Sequence, residues 1–171
     1  TEYCSVALLQ GDRLTVREEL AGQTHSERLL PMVQALLNEA CLALTSLDAI
    51  AFGVGPGSFT GLRIACGVAQ GLALGADLPL IPIGTLEALA QAATQISAQT
   101  DVLACLDARM GELYVAAYSL RSDGSWQETL PPQLCAPDAL PALPGNGWFG
   151  SGTGFAVLAD RIGQHYGQQL A

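Results

Sequence analysis

The segment Gly53-Val54-Gly55-Pro56-Gly57-Ser58-Phe59-Thr60-Gly61-Leu62-Arg63 joins one apolar stretch of the chain to another. Its glycines permit tight turns, and Ser58 or Thr60 can cap a helix that follows. The segment therefore predicts a strand, a glycine-rich loop and the start of a helix. Exposed N–H groups at such a helix start can bind an anion, but a plain strand-to-helix turn explains the spacing equally well.

The composition indicates a folded protein with a strong negative charge. Of the 171 residues, 50% are hydrophobic, which is ample for a packed core. The formal net charge is −9, and all seven basic residues are arginine. Because such a chain repels phosphate backbones, an extensive nucleic-acid site on it is not expected. The absence of lysine also excludes a P-loop lysine and Schiff-base catalysis.

Cysteine spacing and the length of the apolar runs indicate a cytoplasmic protein. The five cysteines are scattered without a C-x-x-C pair, so we expect buried reduced thiols and neither a disulfide framework nor a zinc site. Glycine, arginine or aspartate interrupts each apolar run before it reaches membrane-spanning length, and the first residues do not resemble a leader. We therefore expect no membrane association.

Apolar periodicity and turn residues predict an α/β protein with a mixed sheet and helices on its faces. The polar segment at 97–100 predicts a boundary between a first lobe, residues 1–97, and a second lobe, residues 98–171. Five prolines make residues 131–145 a poor candidate for long regular structure. The predicted strands are residues 3–9, 14–20, 48–53, 80–83, 102–106, 113–120 and a short one near Trp148. The predicted helices are residues 26–41, 61–76, 85–96 and 155–165. We expect a kink at Pro31 in the first helix and a cap by Thr85 on the third.

Two of the predicted helices, residues 26–41 and 61–76, are more apolar than packing on one sheet requires. In the second helix, only Arg63 and Gln70 are polar. Burial inside one two-lobed core and contact with another protein both explain this excess. Three glycines recur every four residues and flatten one ridge, so that another helix can approach closely: Gly67, Gly71 and Gly75.

The histidines and serines do not form a recognisable catalytic motif. His25 and His165 are the only histidines and lie far apart in sequence, whereas zinc needs three or four ligands in one region. We therefore expect His25 to form a hydrogen bond at a helix start. Ser58 lies outside a G-x-S-x-G elbow and has no evident histidine base, which disfavours a nucleophilic role.

A compact charged turn contains Asp107, Arg109 and Glu112. In one interpretation it is structural, with Asp107 accepting backbone N–H groups and Arg109 pairing with Glu112. In the other, Asp107 faces a cleft between the lobes, because loops after strands often carry functional groups. The glycine-rich segment at 150–154 likewise either cradles a phosphate or caps the last helix.

Six segments that follow one another along the chain share a resemblance to one family. GPGSFTGLRI at 55–64 closely resembles the signature of the TsaB family, also called YeaZ, in the sugar-kinase/Hsp70/actin superfamily. Together the six matches cover most of residues 1–154. The other five are residues 1–8, similar to the end of DTATEACSVAL; 25–33, similar to HSxRLLPMV; 70–75, similar to QGLALG; 107–114, similar to DARMGEVY; and 150–154, similar to G-x-GTG.

The resemblance implies an actin/Hsp70-like, ribonuclease-H-like fold with two lobes. Members of the family begin with a strand and an aspartate before Thr1 and continue with helices beyond Ala171, so we expect these parts to be missing from this chain. The implied function is that of a non-catalytic partner of TsaD in forming threonylcarbamoyladenosine beside the anticodon of tRNA. TsaD would hold the metal and transfer the group, the ATPase TsaE would join the complex, and tRNA would be bound only through that complex.

The resemblance also favours the helical face as the interface for both a homodimer and TsaD. The H-x-x-x-H metal motif of TsaD is not matched, because Leu29 occupies its last position, so neither metal-binding nor catalytic residues are predicted. The predicted interface residues are Leu29, Leu30, Met32, Val33, Leu36, Leu37, Arg63, Ile64, Gly67, Val68, Gln70, Gly71 and Leu74.

The superfamily resemblance also suggests a site for a phosphate of ATP or ADP within the complex. Its candidate residues are Gly55, Gly57, Ser58, Thr60, Gly150, Gly152, Thr153 and Gly154.

Two other functions are weighed against this one. A free-standing nucleotide-binding ATPase would use the loops at 55–60 and 150–154. A metallopeptidase is disfavoured by the two isolated histidines. Nucleotide turnover by the isolated protein tests the first alternative, and metal content tests the second.

Overall fold

The computed structural model describes residues 2–171 and has the mixed α/β architecture that the sequence predicts. Its contacts divide it into one unit that ends at Ile83 and another that begins at Gly84. The sequence pattern placed residues 84–97 in the first lobe. In the structure, the helix within this segment packs on strands of the second unit, because its buried residues Leu86, Ala90 and Ala93 lie in that unit's core.

The first unit begins with an antiparallel hairpin of β1 (Tyr3–Gln10) and β2 (Arg13–Leu20), as predicted. A two-residue turn joins them, with Gly11 at a φ of +58°. One face of the hairpin packs on helix α1 (His25–Glu39) around Cys4, Ala21 and Met32. The opposite face exposes large apolar side chains: Tyr3, Leu9, Leu14, Val16 and Leu20.

Helix α1 contains Pro31 in its interior and is nevertheless one continuous helix. Pro31 is the seventh helical residue, and its ring removes one backbone donor near the amino end. The helix ends two residues earlier than predicted, and Cys41 follows it in a left-handed conformation with a φ of +55°.

The first unit continues with β3 (Ile50–Gly55), helix α2 (Phe59–Ala76) and β4 (Leu80–Gly84). Strands β3 and β4 form a separate two-stranded sheet. We predicted a buried strand from the apolar sequence before the glycine loop, but residues 51, 53 and 54 of β3 are exposed. Apolar composition alone was a poor guide to burial here, because burial depends on what packs against both faces of a strand.

The second unit has a four-stranded mixed sheet in the order β7-β6-β5-β8. The first three strands form an antiparallel meander, and β8 lies parallel to β5. One helix covers each face, so apolar side chains are buried on both sides of the sheet. The elements are α3 (Thr85–Ser97), β5 (Asp101–Arg109), β6 (Glu112–Leu120), β7 (Trp126–Cys135), β8 (Phe149–Ser151) and α4 (Thr153–Tyr166).

Two details of the second unit differ from the sequence-based prediction. Gly84, not Thr85, is the N-cap of α3, and no side chain caps this helix. Strand β7 continues through Pro131 and Pro132, where we predicted irregular structure. It can do so because β7 is an edge strand whose pairing with β6 shifts register at this point.

Gln169 fastens the proline-rich segment after β7 to the end of the chain. Its side-chain Nε2 donates to the carbonyl oxygens of Leu143 and Gly145, each at 2.9 Å. Its backbone oxygen accepts the N–H groups of Gly147 and Trp148, also at 2.9 Å. The segment thus gains its order from side-chain and backbone hydrogen bonds instead of a helix or strand.

We expect Gln169→Ala to lower the free energy of unfolding of the second unit by about 1–3 kcal/mol, since two carbonyls lose their donor. Urea unfolding followed by tryptophan fluorescence measures this, because both tryptophans, Trp126 and Trp148, lie in this unit. Gln168→Ala is the matched control and should change stability by less than about 0.5 kcal/mol. Equal losses in the two variants would contradict the fastening role.

Candidate functional site

The outer side of helix α2 is open. A Cβ atom added at Gly67, Gly71 or Gly75 would meet no neighbouring atom within 4 Å. Leu74, on the same side of the helix, is 88% exposed. We call this side, formed by Gly67, Gln70, Gly71, Leu74 and Gly75, the glycine ridge; Arg63 is exposed at its amino end.

The remaining predicted interface residues divide into buried and accessible groups. Met32, Leu36 and Leu37 of α1 are buried inside their own unit, which gives them a structural role there whatever else α1 contacts. Leu30 is 48% exposed. The other four are half-buried: Leu29, Val33, Ile64 and Val68.

The prediction that every apolar run is interrupted before it reaches membrane-spanning length is wrong for α2. The helix has 18 residues and is apolar enough to cross a membrane by length and composition. Composition alone does not distinguish such a helix from one that binds another protein. The acidic chain offers little attraction to an anionic bilayer, which favours the second interpretation.

The glycine loop before α2 has a local structural explanation. Gly55 has a φ of +94°, and an added Cβ would lie 2.9 Å from Leu62. The Ser58 hydroxyl accepts the N–H of Gly61 at 3.4 Å, which confirms the predicted cap. Gly57 and Thr60 are exposed.

The glycines around the start of α4 are required by close packing. At Gly152, with a φ of +114°, an added Cβ would lie 2.2 Å from the carbonyl oxygen of Cys105. At Gly154 it would lie 2.8 Å from Leu113, and at Gly150 it would overlap the Phe155 ring. The helix start therefore lies directly against β5 and β6, a reason for these glycines that is independent of any ligand.

The charged turn at 107–112 is the tip of the β5–β6 hairpin. Asp107 accepts the N–H of Arg109 at 2.9 Å, as the structural interpretation predicted. Its own N–H donates to the Thr153 hydroxyl at 3.1 Å, which ties the turn to the start of α4. Arg109 approaches Asp107 at 4.0 Å, so the predicted pairing of Arg109 with Glu112 as an ion pair is wrong. Met110 at the tip is 98% exposed.

His25 forms the predicted hydrogen bond at a helix start, between its Nε2 and the carbonyl oxygen of Tyr3 at 3.3 Å. Among residues 2–171, no group of three or more His, Cys, Asp or Glu side chains is placed to hold a metal ion. His165 lies in the last turn of α4 against Tyr166.

Three of the cysteines are buried, as predicted, but Cys41 is exposed and Cys66 is half-buried. Burial, and secondarily the nearby Cys135, raises the pKa of the Cys105 thiol to about 12. Burial also raises the pKa values of Cys4 and Cys135. These three thiols are protonated at neutral pH and are structural, not nucleophilic.

Sequence reasoning missed a side-chain pair at the start of α2. The Arg63 guanidinium carbon lies 3.8 Å from the centre of the Phe59 ring. The four-residue spacing of an arginine and an aromatic residue on one helix was the available signal. This pair and the glycine ridge form one continuous exposed stripe.

Comparison with known proteins agrees with these observations. A family model described as "TsaD: tRNA N6-adenosine threonylcarbamoyltransferase" matches residues 16–149. The tRNA threonylcarbamoyladenosine biosynthesis protein TsaB of Haemophilus influenzae is 48% identical over 93% of this chain and 71% of its own length. TsaB of Escherichia coli is 44% identical over 99% of this chain and 74% of its own length. The structure of YeaZ from Pseudomonas aeruginosa has a TM-score of 0.85 and 43% identity, covering 94% of this chain and 75% of that one.

The family match and the structural neighbour define the class of the fold. Mixed sheets flanked by helices, together with the match to YeaZ, place it among the actin/Hsp70-like α/β proteins, which confirms the predicted fold class. Within that class, the identity to curated relatives is decisive. The chain belongs to the TsaB (YeaZ) family.

Proposed function

We propose that this protein acts in the biosynthesis of threonylcarbamoyladenosine in tRNA, as a cytoplasmic, non-catalytic subunit that binds TsaD. The observation that carries this proposal is the open, apolar glycine ridge of α2 in a chain whose relatives are named for that pathway. A bare ridge of this kind lets a second helix approach at the short end of the usual interaxial range of about 8–10 Å.

The glycine ridge and the accessible residues of α1 form the proposed docking face for TsaD. Exposed contiguous apolar surface of this kind is typical of protein–protein interaction sites. When TsaD is absent, the same face supports a homodimer, because two copies present identical flat ridges to one another. In the proposed complex, TsaE joins TsaD and this chain as a third component.

The charge of the chain supports indirect contact with tRNA. With a formal net charge of −9, this subunit repels the phosphate backbone, so the proposed complex binds tRNA mainly through its other members. A role for ATP or ADP remains a proposal for the assembled complex. The glycine-rich segments at 55–60 and 150–154, each next to the start of a helix, are the proposed phosphate sites.

Reconstitution of the modification tests the function. Purified TsaD, TsaE and a threonylcarbamoyl donor are incubated with unmodified tRNA, with and without this chain, and the nucleosides are measured by mass spectrometry. We expect threonylcarbamoyladenosine to accumulate at least about tenfold faster when the chain is present. This corresponds to an activation free energy lower by about 1.4 kcal/mol. Equal product in both reactions would refute the proposal.

A further inference from the structure

In the first turns of α2, an exposed arginine lies against an aromatic ring. The Arg63 guanidinium carbon lies 3.8 Å from the centre of the Phe59 ring, and Phe59 is itself 68% exposed. A guanidinium that lies against an aromatic face is attracted by the ring quadrupole. Because the guanidinium is planar, this contact also orients its N–H donors.

Within residues 2–171, Arg63 forms no ion pair with a carboxylate. Four ion pairs are formed within 4.0 Å in this part of the chain, and none includes Arg63, although the sequence contains 16 acidic residues. Ion pairing therefore gives no reason within the unit for a cation here.

Arg63 is the only charged residue of α2, and it stands at one end of the glycine ridge. A protein that covers this ridge would also cover part of the guanidinium. An arginine that loses water must gain charged hydrogen-bond acceptors, or its burial opposes association. A carboxylate provides two acceptor oxygens that match the guanidinium fork.

We propose that Arg63, oriented by Phe59, forms a bidentate ion pair with a carboxylate on the helix of TsaD that docks on the glycine ridge. This inference rests on the proposed function and adds the chemistry of the partner surface. Arg63 is the recognition residue, and Phe59 is a positioning residue that acts through it.

The test measures the dissociation constant of the chain and TsaD at about 0.05 M and about 0.5 M NaCl, without tRNA or nucleotide. Arg63→Gln should weaken binding by about tenfold to a hundredfold at low salt and remove most of its salt dependence. Arg63→Lys, which keeps the charge but loses the planar fork, should be intermediate, as should Phe59→Leu. Arg121→Gln makes the same charge change in an exposed turn of the second unit and should bind like the wild type.

Gly71→Leu separates this inference from the docking face itself. If Gly71→Leu prevents binding but Arg63→Gln keeps wild-type affinity and salt dependence, the ion pair is wrong and the docking face stands. If neither variant affects binding, TsaD does not use this face and the proposed function loses its structural basis. Circular dichroism of each variant checks that α2 is folded.

Two further outcomes would overturn the ion pair with TsaD. If Arg63→Gln weakens binding only after tRNA or nucleotide is added, the guanidinium binds a phosphate. If the variant reduces self-association but not TsaD binding, the carboxylate belongs to a second copy of this chain. The expected result is that Arg63→Gln weakens TsaD binding about tenfold to a hundredfold in the mixture of the two proteins alone.

Discussion

Gly152→Ala is expected to lower the free energy of unfolding of the second unit by about 3–5 kcal/mol. Two effects add in this variant. A φ of +114° is strained for alanine, and the new Cβ would lie 2.2 Å from the carbonyl oxygen of Cys105. That oxygen belongs to the central strand β5, so it cannot move away as a flexible side chain could. Urea unfolding followed by tryptophan fluorescence measures the loss.

Gly163→Ala in the same helix is the matched control. Gly163 lies within α4, and an added Cβ there meets no atom within 4 Å. Alanine is the better helix former, so this variant should gain about 0.5–1 kcal/mol. If Gly152→Ala were as stable as the wild type, the helix start would have room that the structure does not show, and the packing explanation of the glycine motif would be wrong.

Gly71→Leu should leave the first unit folded and weaken its association with TsaD by at least about a hundredfold, which corresponds to about 2.8 kcal/mol. An added Cβ at Gly71 meets nothing within 4 Å, so the leucine points into open space in the isolated protein. On the proposed docking face, the same side chain separates two closely packed helices, and overpacking costs about 1–3 kcal/mol before further contacts are lost. Tight binding requires that close fit.

Sedimentation of the chain alone and with TsaD provides the measurement, and tRNA modification should fall in parallel. Gly163→Leu is the matched control, since it makes the same exchange in helix α4 of the second unit, at a position where an added Cβ meets no atom within 4 Å. It should associate normally. If Gly71→Leu unfolds the first unit, or if both associations persist, the ridge is not the interface.

Local sequence patterns predicted the elements of this fold well. The β1–β2 hairpin follows from alternating apolar residues on both sides of a glycine-containing turn, and the Ser58 cap follows from its position before an apolar helix. Burial was harder to predict, because it depends on contacts between distant segments. The exposed residues of β3 and the glycine ridge show this, since equally apolar segments of β5 are completely buried.

The candidate site was only partly predictable, because one residue type serves several purposes. A glycine can admit an anion, permit a positive φ or allow close packing, and the sequence does not distinguish these roles. At Gly152 and Gly154, close packing against β5 and β6 is a sufficient reason for glycine. The four-residue spacing of Phe59 and Arg63 is visible in the sequence. Its significance depends on a second fact that only the fold shows: within residues 2–171, Arg63 forms no ion pair with a carboxylate.

The two prolines of strand β7 have a consequence for how the protein behaves in a crowded cell. β7 is ten residues long and lies at the edge of its sheet, where a regular strand offers backbone donors to any extended chain. Pro131 and Pro132 remove two consecutive donors and coincide with a shift in register. The long outer strand is therefore a poor template for polymerisation.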